Sequence, residues 1–426
     1  MLKLGTFKTD CTPPAGFGIK FGDNAEDHAD GIRDPLWLRG FVLDDGASRC
    51  LIASLDYCAL MNGAHDLLVN TLAEAAAVPP ERVAVHCIHQ HDAPLVDYDA
   101  DAYLKFETYP RAWWQGVAAK CGQSSREALG SMREIRDVGH RETRLHGYAS
   151  NRRIIGPDNK IAATRWSFCS DNAIKGKPVG VIDPMLRTIA FRDGTGKVAG
   201  VLNFYATHPQ VSNYRRLYSA DAPGEAMRLI EADLGTALPA YFSGPSGDIT
   251  AGKYTSTDKE GNLLRFGRIL ADGIRLNLGA MEWEKVERFI WKQLRVPFPR
   301  RRLNRRKLMS QISDPDFSAE MRLKNAVLLS SLDNPANKTY PLSLLEFGNV
   351  RLLLLAGEPF VEYQLFAQSL VPDKFLAVAA NGSDNYLYLP LRRSFAEGGY
   401  ETSKFCWCTP AIEARLKKAI AALLTP

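Results

Sequence analysis

The sequence has no run of 18 or more apolar residues, the length a membrane-crossing helix needs, so no transmembrane segment is expected. Its opening, MLKLGTFKTD, lacks the charged, apolar and small-residue succession of a secretory signal; export is not expected, and the reading is a cytoplasmic protein. A disulfide framework is also missing. Cys11, Cys50, Cys58, Cys87, Cys121, Cys169, Cys406 and Cys408 are scattered through mostly apolar surroundings, as buried reduced thiols are. Cys406 and Cys408, in FCWC, have no second pair with which to form a zinc knuckle. No internal repeat and no low-complexity linker occurs. Nor is there a global excess of charge. The formal +5 sits beside RRRLNRRK, Arg300 to Lys307, and without the six cations of that block it becomes −1. Binding to nucleic acid through overall charge is therefore not expected.

What remains is an ordinary globular composition, 46% apolar and 24% charged, in a chain of 426 residues that can bury a large core. Short β-branched runs alternate with helical stretches, and many runs end in Gly, Asn, Asp or Pro, which is an α/β pattern. Strands are expected at Leu51 to Leu55, Val83 to Ile88, Val350 to Leu355 and Leu376 to Ala380, with a hairpin formed by Arg187 to Arg192 and Val198 to Ala206. Helices are expected at His65 to Ala77, from Pro223, at Leu263 to Leu278, at Ala319 to Leu332 and at the carboxyl end. The fold class is α/β, with mixed β-sheets flanked by helices. Val286 to Tyr340 interrupts the rhythm and reads as an insertion or flap. Its cationic block reads as a solvated face, with an anionic ligand or partner as the alternative.

Five segments could carry chemistry. VAVHCIHQHDAP reads as a strand on which His89 and His91 share a face while His86 points away. In VLNFYATHP an apolar strand runs into His208, and in VRLLLLAGEPF four leucines deliver Glu358 behind Gly357. NGSDNYLYLP carries Tyr386 and Tyr388, and SGPSGDITAG is a Gly-rich loop with Asp248 and Thr250. Any one of these could be a cap or a turn. Together they place His, His, Glu, Tyr and a Gly-Asp loop at the carboxyl ends of strands, where open α/β sheets hold their sites. Two imidazoles and a carboxylate suit a catalytic zinc (Zn2+) with an open position, to which a phenolate can add a fourth ligand. Because the candidate ligands are spread from 89 to 388, residues 1–426 read as one catalytic domain.

These motifs resemble the neutral, non-lysosomal ceramidases along nearly the whole chain. GTFKTDCTPP and GIRDPLWLRGFVLDDG are similar to the family's opening segments, and GVIDPMLRTIAF and NFYATHP to its central ones. HQHDAP resembles H-T-H-S-G-P, which implies His89 as a zinc ligand and His91 beside the substrate. The resemblance further implies His208 and Glu358 as zinc ligands, and SNRRI makes Arg152 the residue that reaches the scissile group. The tyrosine twelve residues before the Y-E pair of EGGYE is implied as the last ligand, which selects Tyr388. Departures fall on positions that face substrate. GDITAG puts Thr250 where the family's G-D-V-S-P-N holds a serine implicated in amide cleavage, and NRSP has become NRRI. The immunoglobulin-like carboxyl-terminal domain of true ceramidases is not in this sequence.

The expectation is a zinc-dependent hydrolase that cleaves an amide, or an ester, by metal-activated water, with a small-molecule substrate that need not be ceramide: an acylated amine or an acidic sugar. The alternatives are a zinc-dependent carbohydrate-directed enzyme, either a uronate lyase or a glycosidase, and a non-catalytic anion-binding protein. Trp113, Trp114 and the cationic insertion motivate the first of these. A homo-oligomer is left open.

Overall fold

The computed structural model describes residues 1–19, 28–104, 109–212, 216–403 and 405–425. Two β-sheets pack face to face. In the larger, the strands run in the order Leu238–Ser243, Val198–Tyr205, Met185–Asp193, Arg133–Arg144, Lys3–Asp10, Trp37–Asp44, Arg49–Leu55 and Val83–Cys87, with Glu282–Lys285 also paired to Arg133–Arg144. The smaller runs Ile290–Pro297, Thr339–Phe347, Val350–Leu355, Phe375–Ala379. Between them lies an apolar layer in which Phe191 and Phe289 both meet Phe347, at ring separations of 5.6 and 6.2 Å.

Helices cover the outer faces. Asn62–Ala76, Arg111–Gly130, Asp221–Leu234 and Lys259–Gly279 lie against the larger sheet, and Val361–Ser369 and Ile412–Leu424 against the smaller. Inner strands are therefore buried on both faces, which is why they read as continuous apolar runs rather than alternating ones. In Val350–Leu355, Leu352 and Leu354 enter the inter-sheet layer while Leu353 and Leu355 meet the outer helices. Truncating any of these leucines to alanine should cost about 2–5 kcal/mol.

Within these two sheets most neighbouring strands are antiparallel, but three pairs are parallel: Arg49–Leu55 with Val83–Cys87, Val198–Tyr205 with Leu238–Ser243, and Val350–Leu355 with Phe375–Ala379. A parallel pair needs a crossover, and each of these has a helix in it, Asn62–Ala76, Asp221–Leu234 and Val361–Ser369 respectively. The three strand-helix-strand units end at one place. Ala380 N–H donates to the Ser243 carbonyl at 2.8 Å, Cys87 N–H to Asn381 at 3.0 Å, and Ser243 Oγ to Ile88 at 2.6 Å. The carboxyl ends of the two sheets are thus stitched together.

The expected insertion from Val286 to Tyr340 divides into two parts. Ile290–Pro297 is not part of an excursion: it pairs with Thr339–Phe347 as a strand of the smaller sheet. Between these strands runs a pair of helices, Arg305–Ser313 and Ala319–Asp333, whose first turns are capped by Asn304 and Ser318. The basic block starts this excursion, and its members differ in environment. Arg300 donates to the Leu332 and Asn337 carbonyls at 2.8 and 3.2 Å, Arg301 to those of Ser403 and Cys406 at 2.8 and 3.0 Å, and Arg305 pairs with Asp333 at 2.6 Å. Arg300 and Arg305 brace the excursion internally and Arg301 ties it to the body, which a uniformly solvated face would not do. None of the described helices is long and apolar enough to cross a membrane.

Candidate metal centre

His89, His208 and Glu358 each follow a strand of one of the three joined units, His89 the second strand of its unit and the other two the first. His89 lies beyond Cys87, the last strand residue, in left-handed backbone (φ 64°), with its N–H bonded to the Tyr57 carbonyl at 3.0 Å. Strand alternation therefore does not explain the HxH pair. The turn at His89 does: it brings the His91 ring to 5.2 Å from that of His89 and 6.3 Å from that of His208. His86 is still within the strand and points elsewhere, with Nδ1 2.7 Å from the Ala380 carbonyl, and burial draws its pKa down to about 4.

Glu358 follows Gly357, whose φ of 63° favours glycine and where a Cβ would lie 2.8 Å from the Leu387 carbonyl. This close approach lets Glu358 N–H donate to Leu387 at 2.8 Å and sets Glu358 in parallel register with Tyr388. Glu358 Oε2 then lies 3.2 Å from His208 Nε2 and 3.4 Å from His89 Nε2. All three side chains are buried, and their ligand atoms fall within 4.8 Å of one another. Ligand bonds of about 2.0–2.1 Å in a tetrahedral site separate neighbouring donors by roughly 3.3 Å, so these spacings suit a metal ion.

The remaining ring nitrogens sharpen the point. His208 Nδ1 faces the carbonyls of Ser246 and Ile249 at 2.7 and 3.0 Å, and His89 Nδ1 faces that of Cys58 at 2.9 Å. A carbonyl only accepts, so each Nδ1 is assigned a proton, and the neutral His208 presents its Nε2 lone pair inward. Burial draws the His208 pKa down to about 4 even beside Glu358. The neutral His208 lone pair thus meets a carboxylate: acceptor faces acceptor. Burial opposes the charge of Glu358 too, but His89 and His208 hold its carboxyl well below the usual range, whereas Glu358 outweighs burial at His89 and raises that imidazole's pKa. A cation between the three groups satisfies every lone pair, and carbonyl-held Nδ1 atoms are the usual outer support of metal-binding histidines.

Tyr388 adjoins this cluster, its ring 6.5 Å from that of His208 in a stacked orientation. Burial raises its phenol pKa, against the pull of Arg152. Tyr386 is elsewhere, packed on Phe298 and Tyr340 with its hydroxyl donated to the Thr339 carbonyl. Arg152 lies 5.2 Å above the Tyr388 ring, and donates to Glu401 at 2.6 Å and the Gly247 carbonyl at 2.7 Å. Burial works against its charge, yet Tyr388 and Glu401 hold its pKa above the ordinary value. Asp248 shapes the loop below: its carboxylate accepts from Val361 N–H at 3.0 Å and Asn151 Nδ2 at 2.7 Å, and burial, helped by Glu362, lifts its pKa to about 7. The Thr250 hydroxyl donates to the Arg165 carbonyl at 3.1 Å.

Two features escaped the sequence reading. Glu401 grips both Arg152 and Arg153, each at 2.6 Å, and its place in the Y-E pair was the available signal. Asp384 is buried near His89 and Glu358, and burial raises its pKa to about 7. Nothing in its local sequence marks it out.

The profile of neutral/alkaline non-lysosomal ceramidases, N-terminal part, matches residues 2–252, more than half of the chain. Among solved structures, the neutral ceramidase from Pseudomonas aeruginosa superposes with a TM-score of 0.76 at 17% identity, covering 99% of this chain and 74% of that one. A ceramidase complexed with C2 gives 0.75 at 16%, with the same coverage. At such identities these likenesses concern the fold. Comparison with curated protein sequences gives no match. The sequence profile and the shared fold agree, and the chain belongs to the neutral/alkaline non-lysosomal ceramidase family.

Proposed function

We propose that this ceramidase-like hydrolase is zinc-dependent, cleaves an amide bond in a small acylated amine, and acts as one catalytic domain over residues 1–426. The observation that carries the metal is the convergence of His208 Nε2 and His89 Nε2 on Glu358 Oε2, at 3.2 and 3.4 Å, with both Nδ1 atoms turned to backbone carbonyls. Nitrogen and carboxylate donors at near-tetrahedral spacing favour zinc over magnesium or calcium, which take more, and mainly oxygen, ligands. His89, His208 and Glu358 would hold the ion, with Tyr388 as a fourth ligand. When bound, it supplies Lewis acidity, activating water near neutral pH and polarising a carbonyl.

The chain's own residues would do the rest. His91, 5.2 Å from His89, stands where it can carry a proton to the leaving amine. Arg152, held charged and aimed by Glu401, offsets the negative charge that develops on the carbonyl oxygen. Asp248 fixes the loop whose Ser246 and Ile249 carbonyls orient His208, and Thr250 closes that loop. The altered residues of HQHDAP and NRRI support a substrate other than ceramide.

Metal analysis and a screen of N-acyl compounds test this. Purified protein should carry one zinc per chain, lost in His208→Ala, and should release fatty acid and amine from at least one N-acyl compound. Zinc absent from the wild type, or retained in the variant, overturns the metal centre. A zinc-loaded protein that turns over no N-acyl compound overturns the amide reading.

A further inference from the structure

The excursion and the segment after Glu401 enclose a cavity of about 550 Å3, within the range of small-molecule sites. Its walls are mixed, and Asn304, Gln311, Ser318, Asn325 and Ser403 are their uncharged polar part. Leu308, Met321, Leu328 and Leu387 supply hydrocarbon, while Arg301, Lys307 and Lys324 bring positive charge, and no carboxylate side chain is among the described lining residues. Two of the three cations leave charge to spare. Arg301 is held by the carbonyls of Ser403 and Cys406, so its charge is oriented and not neutralised, and Lys307 sits in the exposed first turns of its helix. Lys324 lies 4.5 Å over the Phe405 ring and pairs with Glu320, which stands outside the cavity.

This cavity adjoins the metal centre. Leu387 in its wall precedes Tyr388, and Phe405 packs 4.8 Å from Tyr400, whose ring is 5.6 Å from that of Tyr388. The aliphatic side chains fit a hydrocarbon chain, while the unopposed cations favour an anion. We propose that this cavity binds a single-chain anionic amphiphile, and that the protein's substrate is accordingly an acylated amine bearing a negative charge, such as an N-acyl amino acid. The word substrate rests on the amide-hydrolase reading above; binding in the cavity does not.

Calorimetric titration of the metal-free protein with octanoate, decanoate, dodecanoate and dodecyltrimethylammonium, all below micelle-forming concentrations, tests it without turnover. Affinity should rise with chain length, by up to about fourfold per methylene. Dodecanoate should bind at least about fivefold more tightly than the cation of equal length. Lys307→Glu should erase that preference, and Met321→Trp, which fills the cavity, should weaken every chain. Equal binding of anion and cation, no binding, or a preference untouched by Lys307→Glu overturns the proposal. Its failure is separable from that of the hydrolase reading. Turnover of neutral N-acyl compounds without anion binding sinks the cavity proposal alone, and anion binding without turnover of any N-acyl compound sinks the hydrolase reading while the cavity stands.

Discussion

Two buried polar clusters lie at the carboxyl ends of the strands, and they use their hydrogen bonds in opposite ways. Around Asn62, every join pairs a donor with an acceptor. The two hydrogens of Asn62 Nδ2 are shared among Asp97 at 2.8 Å and Ser330 and Ser331 at 3.0 and 3.1 Å, Asn337 donates to Asn62 at 3.0 Å, and Asn385 donates to Asn337 at 3.0 Å. This network ties the first crossover helix, the excursion and the Tyr388 segment into one body. At His89, His208 and Glu358, lone pairs converge with no proton assigned between His208 and the carboxylate. Folding alone does not favour such an arrangement, because a buried acceptor without a donor costs about 1–3 kcal/mol, and more when charged. A closed network is thus explained by structure, and an open one calls for a ligand.

Glu358→Gln breaks this contrast most sharply. The new amide can donate to the His208 lone pair, so the cluster would close like the Asn62 network. Metal content should disappear, and hydrolysis of any accepted substrate should fall on the order of 10³-fold, the several kcal/mol that a Lewis acid supplies. The melting temperature of the metal-free protein should stay level or rise. A clear fall in that temperature would mean that Glu358 serves as a salt-bridge partner, not a ligand.

Asn62→Ala makes the opposite break. It removes several joined bonds and places alanine at a φ of 47°, where Asn is better tolerated. Unfolding stability should drop by about 3 kcal/mol, read by denaturant titration, with zinc stoichiometry unchanged. Loss of metal in this variant would show that the two clusters are one unit.

Asp97 gives the network a pH signature. Burial raises its pKa from an ordinary 3.8 to about 7, so the folded state holds its proton more tightly than the unfolded chain. The stability this group contributes is complete below about pH 4, declines as pH rises to about 7, and is flat above. Its share of the slope is at most about 1.4 kcal/mol per pH unit. The difference in unfolding free energy between wild type and Asp97→Asn, measured from pH 4 to 8, should therefore move in the mutant's favour up to about pH 7. A constant difference would remove Asp97 as the titrating group.

The contrast also explains what could be read from sequence. Long apolar runs announced the double-sided strands around Leu353, and residues just past them, His208 and Glu358, announced the site, because strand and ligand are neighbours in the chain. His89 and His91 were paired for the wrong reason, since periodicity carries no sign of a left-handed turn. The Asn62 network left no trace in the sequence, as its members are drawn from positions 62, 97, 330, 331, 337 and 385, each an ordinary polar residue until the excursion docks. Glu282–Lys285 and Ile290–Pro297 were hidden for a related reason: half-exposed edge strands lack the apolar run that marks an inner one.

Thr250 should give the smallest effect. Its hydroxyl donates to the Arg165 carbonyl and accepts from Gly252 N–H at 3.2 Å, so it is engaged on both sides as the Asn62 network is. Thr250→Ser preserves both bonds and removes only a methyl group, and should alter hydrolysis less than about threefold. Thr250→Val removes both, and should cost about 1 kcal/mol of stability. If the hydroxyl only closes the loop, kcat in the valine variant follows the modest change in loop order, within about tenfold, and zinc remains bound. A nucleophile would behave otherwise: valine would abolish turnover of every N-acyl compound while serine kept it. That outcome would place Thr250 with the lone pairs that await a ligand, and not with the hydrogen bonds already made.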